Sequence, residues 1–294
     1  VITYYVGQKY PTLQGERKKE EKELNKKNKD IDFPGWDVLE KERNESKVVY
    51  WVVIKDSKGN VINRFKAPSS KGFHRVAWNL RAFSGLPIRK GADENHYNSR
   101  GFLVNEGTFS ATLAKTLEGE VEVISGPISF KVNQLYKSTL QPVAAEQRNE
   151  YYKDYLNVVG DRSELNYRYN EIKKLSKSIK VSLINTGGDV SQAFEKYNEL
   201  HKAQQIFDTK TGGYKSKNEV GEKNKPTLND RIGAAGAPMY GSLHGPTGTS
   251  KENLALAKKI LLDLDEDLDA METSINELLA LLKEMNAPSI NGAE

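Results

Sequence analysis

The chain has 294 residues, of which 29% are charged and 37% hydrophobic, with 44 basic against 40 acidic side chains for a net charge of +4. That length allows two domains with cores of their own, and the near balance of charge argues against nucleic acid or an anionic membrane as the main partner. The complete lack of cysteine excludes thiol nucleophiles, disulfides and thiolate-ligated metals, and no apolar run approaches the length of a membrane span, so no transmembrane segment is expected.

The opening VITYYV is β-branched and aromatic, a strand by composition. It carries neither an initiator methionine nor a signal peptide, as expected of a mature or cleaved part of something longer. From Glu16 to Asp30 the charges are dense but mixed in sign, which predicts a solvated helix or loose insertion rather than a one-signed binding tail. FPGWDVLEKE then offers Trp36 as an aromatic anchor behind a Pro-Gly turn.

KVVYWVVIK, Lys47 to Lys55, is nearly continuous in its apolar character and predicts a buried central strand. Asp56 to Asn60 forms a turn in which Gly59 supplies positive φ, and Val61 to Lys66 pairs back as a hairpin. In GFHRVAWNL, Gly72 to Leu80, alternation puts Val76 and Trp78 inward. An irregular stretch from Arg81 to Arg100 precedes further strands over Thr108–Lys115, Val121–Ile124 and Ile128–Val132. About seven strands before residue 135, separated by turns, predict a β-sandwich.

After Leu135 the apolar period becomes helical. Helices are predicted over Pro142–Val159, Ser163–Asn185 and Asp189–Phe207, with Asp161 or Ser163 capping the second and Gly187-Gly188 leading into the third. Asp208 to Lys225 reads as a long loop, and a helical turn covers Thr227 to Gly233. The last helix, about Thr249 to Met285, has the strongest pattern in the chain. Leu254, Ala257, Leu261, Leu264, Leu268, Met271, Ile275, Leu278, Leu282 and Met285 alternate spacings of three and four without a break, a heptad seam that must pack on other helices. Thr249 and Glu252 fit a capping box at its start, and Asn286 and Pro288 mark its end. Short loops between the earlier helices predict antiparallel neighbours and hence a bundle. The fold expected is α+β in separate domains: residues 1–135 as a sandwich with a charged insertion at about 12–45, and residues 136–294 as an antiparallel bundle with one long C-terminal helix.

The residues that could carry chemistry favour plainer roles. The acidic run Asp263 to Asp269 lacks the glycine and glutamate of a calcium loop, because Leu268 and Ser274 stand there on the heptad helix. GPTGTSK misses phosphate-loop spacing and reads as a helix start, where an anion could still settle. His74, His96, His201 and His244 lack metal-ligand spacing, and no nucleophile elbow is present. Nothing singles out a pair of carboxylates for glycoside chemistry. Of the aromatics that could stack on sugar, most suit a core, whereas Trp36 and Tyr97 lie in irregular segments and are the candidates for exposed contacts. A standalone adhesin would need one of these two to face solvent.

IKDSKGNVINRF, GFHRVAWNLR and VNEGTFSATL, taken together, resemble an immunoglobulin-like domain found at the end of many bacterial surface proteins and in flagellar hook-capping proteins. That pattern joins an Asp-x-x-Gly hairpin, a Gly-x-His-x-Val-x-Trp-Asp strand and a Gly-Thr-Tyr strand. The chain keeps Asp56, Gly59, Gly72, His74, Val76, Trp78 and Gly107, and departs with Asn79 and Phe109. Over essentially its whole length, the order of these motifs and of PTLNDRI and GPTGTSKENLALA is similar to the C-terminal region of sortilin-like, BNR-repeat "glycosyl hydrolase" proteins of Bacteroidota. The resemblance implies an extracytoplasmic location, in the periplasm or on the cell surface. It implies preceding β-propellers that would hold any glycosidase activity, with no catalytic residue or cofactor carried over to this segment. The expected function is a non-catalytic module that docks those propellers or joins an envelope assembly, with glycan binding or a glycoside hydrolase accessory role as the alternative.

Overall fold

The computed structural model describes residues 1–7, 10–88, 90–92, 101–117, 119–135 and 139–292. Tyr97 and His96 lie outside them. The chain divides into two compact units, Val1–Ser84 with Asp93–Lys137, and Gly85–Ala92 with Ser138–Glu294.

In the first unit the order is β1 (Ile2–Val6), α1 (Leu13–Lys26), α2 (Trp36–Arg43), β2 (Val49–Asp56), β3 (Val61–Ala67), β4 (Gly72–Val76), β5 (Gly107–Leu117) and β6 (Glu120–Val132). The strands form a four-stranded antiparallel sheet, β3-β2-β5-β6, and a two-stranded one, β1-β4. Tyr50, Val52 and Ile54 of β2 and Phe109, Ala111 and Leu113 of β5 make the core. Ile2, Tyr4, Val76 and Trp78 pack against it from the smaller sheet and the residues after it. β2 is central, but only alternate residues are buried, so one face of the expected doubly buried strand is half-open. The β2–β3 turn closes through the Asp56 carboxylate, which accepts from the amides of Lys58 and Asn60 at 2.9 and 2.8 Å. Gly59, at φ 84°, supplies the left-handed residue this turn requires. The charged segment forms α1, capped by Thr12 and burying no residue.

The second unit contains α3 (Ala145–Ile184), α4 (Ser191–Gly212), α5 (Lys215–Glu219), α6 (Leu228–Gly241) and α7 (Gly248–Glu284). Helices α3, α4 and α6 all pack on α7. Nine of the ten seam positions of α7, from Leu254 to Leu282 and including Leu261, Leu264, Leu268, Met271 and Ile275, are buried, and Met285 is half-buried. Asn286, at φ 52°, ends the helix in the left-handed conformation.

The chain is α+β, yet it makes neither the expected immunoglobulin-like sandwich nor the expected antiparallel bundle. The sandwich fails because, among the described residues, the smaller sheet holds only two strands. The segments expected as separate strands at 121–124 and 128–132 are one strand, β6, running through Gly126-Pro127. The bundle fails because the helices expected at 142–159 and 163–185 are one helix of 40 residues. Gly160, Asp161 and Ser163 lie within α3, away from the side that buries Val158 and Leu165, so neither polar residue caps anything.

Smaller corrections follow the same logic. The α7 cap is Thr247, whose hydroxyl accepts from the Ser250 amide at 3.1 Å, so Thr249 and Glu252 lie inside the helix without a capping box. The capping box forms instead at Thr227 and Asp230, opening α6, which continues to Gly241. The loop expected from Asp208 is helical to Gly212 and again in α5.

Candidate functional site

The first unit leaves a cleft of about 610 Å³ bordered by β1 and β6. Its walls come from Ile2 and Tyr4 on one side and Leu113, Ile128 and Phe130 on the other, with Trp78 between. The cleft exists because a two-stranded sheet is too narrow to cover a four-stranded one. Apolar side chains that a full second layer would bury therefore remain reachable.

Each wall is held in place by its own bonds. The Trp78 ring sits edge-on to Phe109 and Phe130, with centroids 5.3 and 6.1 Å away, and its indole N–H donates to the Arg81 carbonyl at 2.9 Å. The Tyr4 hydroxyl donates to the Pro68 carbonyl at 2.7 Å, and burial, followed by the neighbouring Tyr50, pushes its pKa up. His74 packs its ring 5.3 Å from that of Tyr4 and hydrogen-bonds the Ser70 carbonyl through Nε2 at 2.6 Å, so it supports the wall from behind. Gly107 begins β5 opposite Val132.

Both strands that border the cleft have a free edge. Among the described residues β1 pairs only with β4, and β6 only with β5. Every second residue of such an edge points its amide and carbonyl away from the sheet. β6 is exposed over most of its length, and Val121, Val123 and Ile128 are 69%, 60% and 66% exposed. Shifts of register near Ala111 to Ala114 divide the β6 edge into two runs. The first carries Glu120 and Glu122, the latter bound to Lys115 at 2.8 Å, charges that discourage indiscriminate pairing. The second, Ile128–Val132, lies along the cleft.

The residues singled out in the sequence fall in several separate places. Trp78 lines the cleft and His74 packs on its Tyr4 wall, whereas Gly59 serves its own turn. Leu261, Leu264, Leu268, Met271 and Ile275 are core of the second unit. Trp36 opens α2, is 78% exposed and meets the also exposed Phe33 edge-on at 5.1 Å. The acidic run of α7, with Glu272 one turn beyond it, serves as an ion-pair ladder: Asp265, Asp269 and Glu272 hold Arg168 of α3, and Asp267 holds Lys210 of α4. Missed from the sequence were Ile128, Phe130 and the edge they form. Alternation in SGPISFKV was a signal for a strand, but nothing local tells whether a strand has one neighbour or two. No protein-family model matches the chain, and no curated protein or solved structure matches it either.

Proposed function

We propose that this chain is a non-catalytic interaction module that accepts an extended apolar segment of a partner along Ile128–Val132. The carrying observation is the coincidence, among the described residues, of an unpaired strand edge with an apolar cleft at the same residues. An edge of backbone donors and acceptors demands another extended backbone, and the cleft selects alternate apolar side chains on it. In this reading the incoming strand supplies the cover that β1-β4 is too narrow to give. The motif resemblance supports a partner within a cell-envelope assembly, either the propellers of a parent chain or a separate envelope protein.

Photo-crosslinking in cells tests this, with the reactive group at position 128 and, as control, at the exposed Arg64 of the opposite edge strand β3. The expected result is one defined extended segment joined at 128 and not at 64. No adduct at 128, or the same adducts at both positions, would refute the proposal.

A further inference from the structure

The second unit carries a separate, polar groove of about 1240 Å³ between Pro87, Ile88 and Lys90 and the outward face of α3. Four cations, Lys90, Arg162, Lys173 and Lys177, line it without an acidic partner among the described residues. Lys173 lies 4.5 Å over the Tyr169 ring, which steers its ammonium group by cation–π attraction. A fifth, Lys174, is already held by Glu171 at 2.6 Å. Such a concentration in a concave polar surface attracts anions, because like charges gathered without partners gain most from a ligand that neutralises them.

The other lining groups narrow the ligand. Glu164 and Glu171 put carboxylates in the same groove, where they repel a continuous phosphodiester chain but accept hydrogen bonds from hydroxyls. Asn166 and Asn170 offer amide donors and acceptors, and Tyr167, 51% exposed, offers a ring face. Spaced negative charges, many hydroxyls and a flat apolar face coexist in an acidic saccharide. We infer that this groove binds an acidic oligosaccharide, with Arg162 and Lys177 on its carboxylate or sulfate groups and Tyr167 against a sugar ring. The inference is independent of the strand-docking edge, since none of its residues belongs to the first unit.

The test is calorimetric titration of the full chain with tetragalacturonate and a heparin tetrasaccharide, beside maltotetraose and a short oligothymidylate. Either acidic saccharide should bind, more weakly as salt rises, while maltotetraose should not. Binding of the tetragalacturonate alone identifies carboxylate as the anion, and of the heparin fragment alone sulfate. The double variant Arg162→Gln, Lys177→Gln should weaken binding about tenfold while circular dichroism and melting stay unchanged, since Lys177 is exposed and Arg162 is only half-buried. No binding of either acidic saccharide, tighter binding of the oligothymidylate, or affinity unchanged in the double variant would overturn the assignment.

Discussion

Arg168 and Glu272 face each other as a two-pronged ion pair, with Nε to Oε1 and Nη2 to Oε2 both at 2.9 Å. The same guanidinium reaches Asp265 at 2.6 Å and Asp269 at 2.5 Å, so one side chain of α3 engages three acids on successive turns of α7. These contacts fix the axial register of two long helices whose apolar seam would tolerate slippage. Arg168→Gln should therefore lower stability by about 1 kcal/mol, a loss that shrinks at high salt because the acids are largely exposed. Denaturant titration at low and high ionic strength would measure it, and a salt-independent loss would assign the effect to packing of the arginine stem.

The heptad seam makes a sharper prediction. Leu268 is fully buried, whereas Asp267, one residue earlier, pairs with Lys210 at the surface. Leu268→Asp should cost more than about 4 kcal/mol by burying an unpaired carboxylate, and Asp267→Asn about 0.5 kcal/mol. Thermal melts of the two variants check this, and comparable losses would contradict the register.

Two threonines at the start of α7 can be told apart in the same way. Thr247 caps the helix through the Ser250 amide, while Thr249 lies in its first turn. Thr247→Ala should cost about 1 kcal/mol and Thr249→Ala close to nothing. The reverse order in chemical denaturation would restore the capping box at Thr249 and Glu252.

Tyr151 provides a pH dependence. Its buried hydroxyl donates to the carbonyls of Ala235 and Ser250 at 3.0 and 2.9 Å. Burial first, and the charge of Asp154 next, push its pKa up to about 12, against a weaker opposing effect of Ser250. The folded protein thus favours the neutral phenol. Its contribution to stability is complete below the ordinary tyrosine value of 10 and disappears as pH rises from there toward about 12. Tyr151→Phe should lose about 1 kcal/mol near neutrality and show a shallower alkaline decline. Melting temperature across alkaline pH, followed with phenolate absorbance, would reveal it, and parallel curves for both proteins would contradict it.

What could be read from the residues followed the range of the forces involved. The α7 seam and the Asp56–Asn60 turn depend on neighbours within a few positions, and both were legible. The join across Gly160 and Asp161 was not. Local propensity favours a break there, but Val158 and Leu165 lie on the same buried stripe and packing holds the helix through. Strand pairing is less local still. Nothing in GFHRV says that it pairs with Ile2–Val6 rather than widening the larger sheet, yet that choice leaves the cleft open. The candidate site was illegible for the same reason, since an edge is defined by the strand that is missing beside it. Trp78 was recognised as inward-facing, but the open space next to it depends on pairings more than 60 residues apart.

The most direct test of the proposed docking edge is amide hydrogen exchange of the chain alone and in whatever complex is isolated with it from its native source. The account predicts fast exchange at alternate amides of Ile128–Val132 in the free chain, slowing strongly in the complex, with the amides of α4 unchanged. Unaltered exchange along Ile128–Val132, with new protection centred instead on α2 around the exposed Trp36, would contradict it and move the docking surface to that helix.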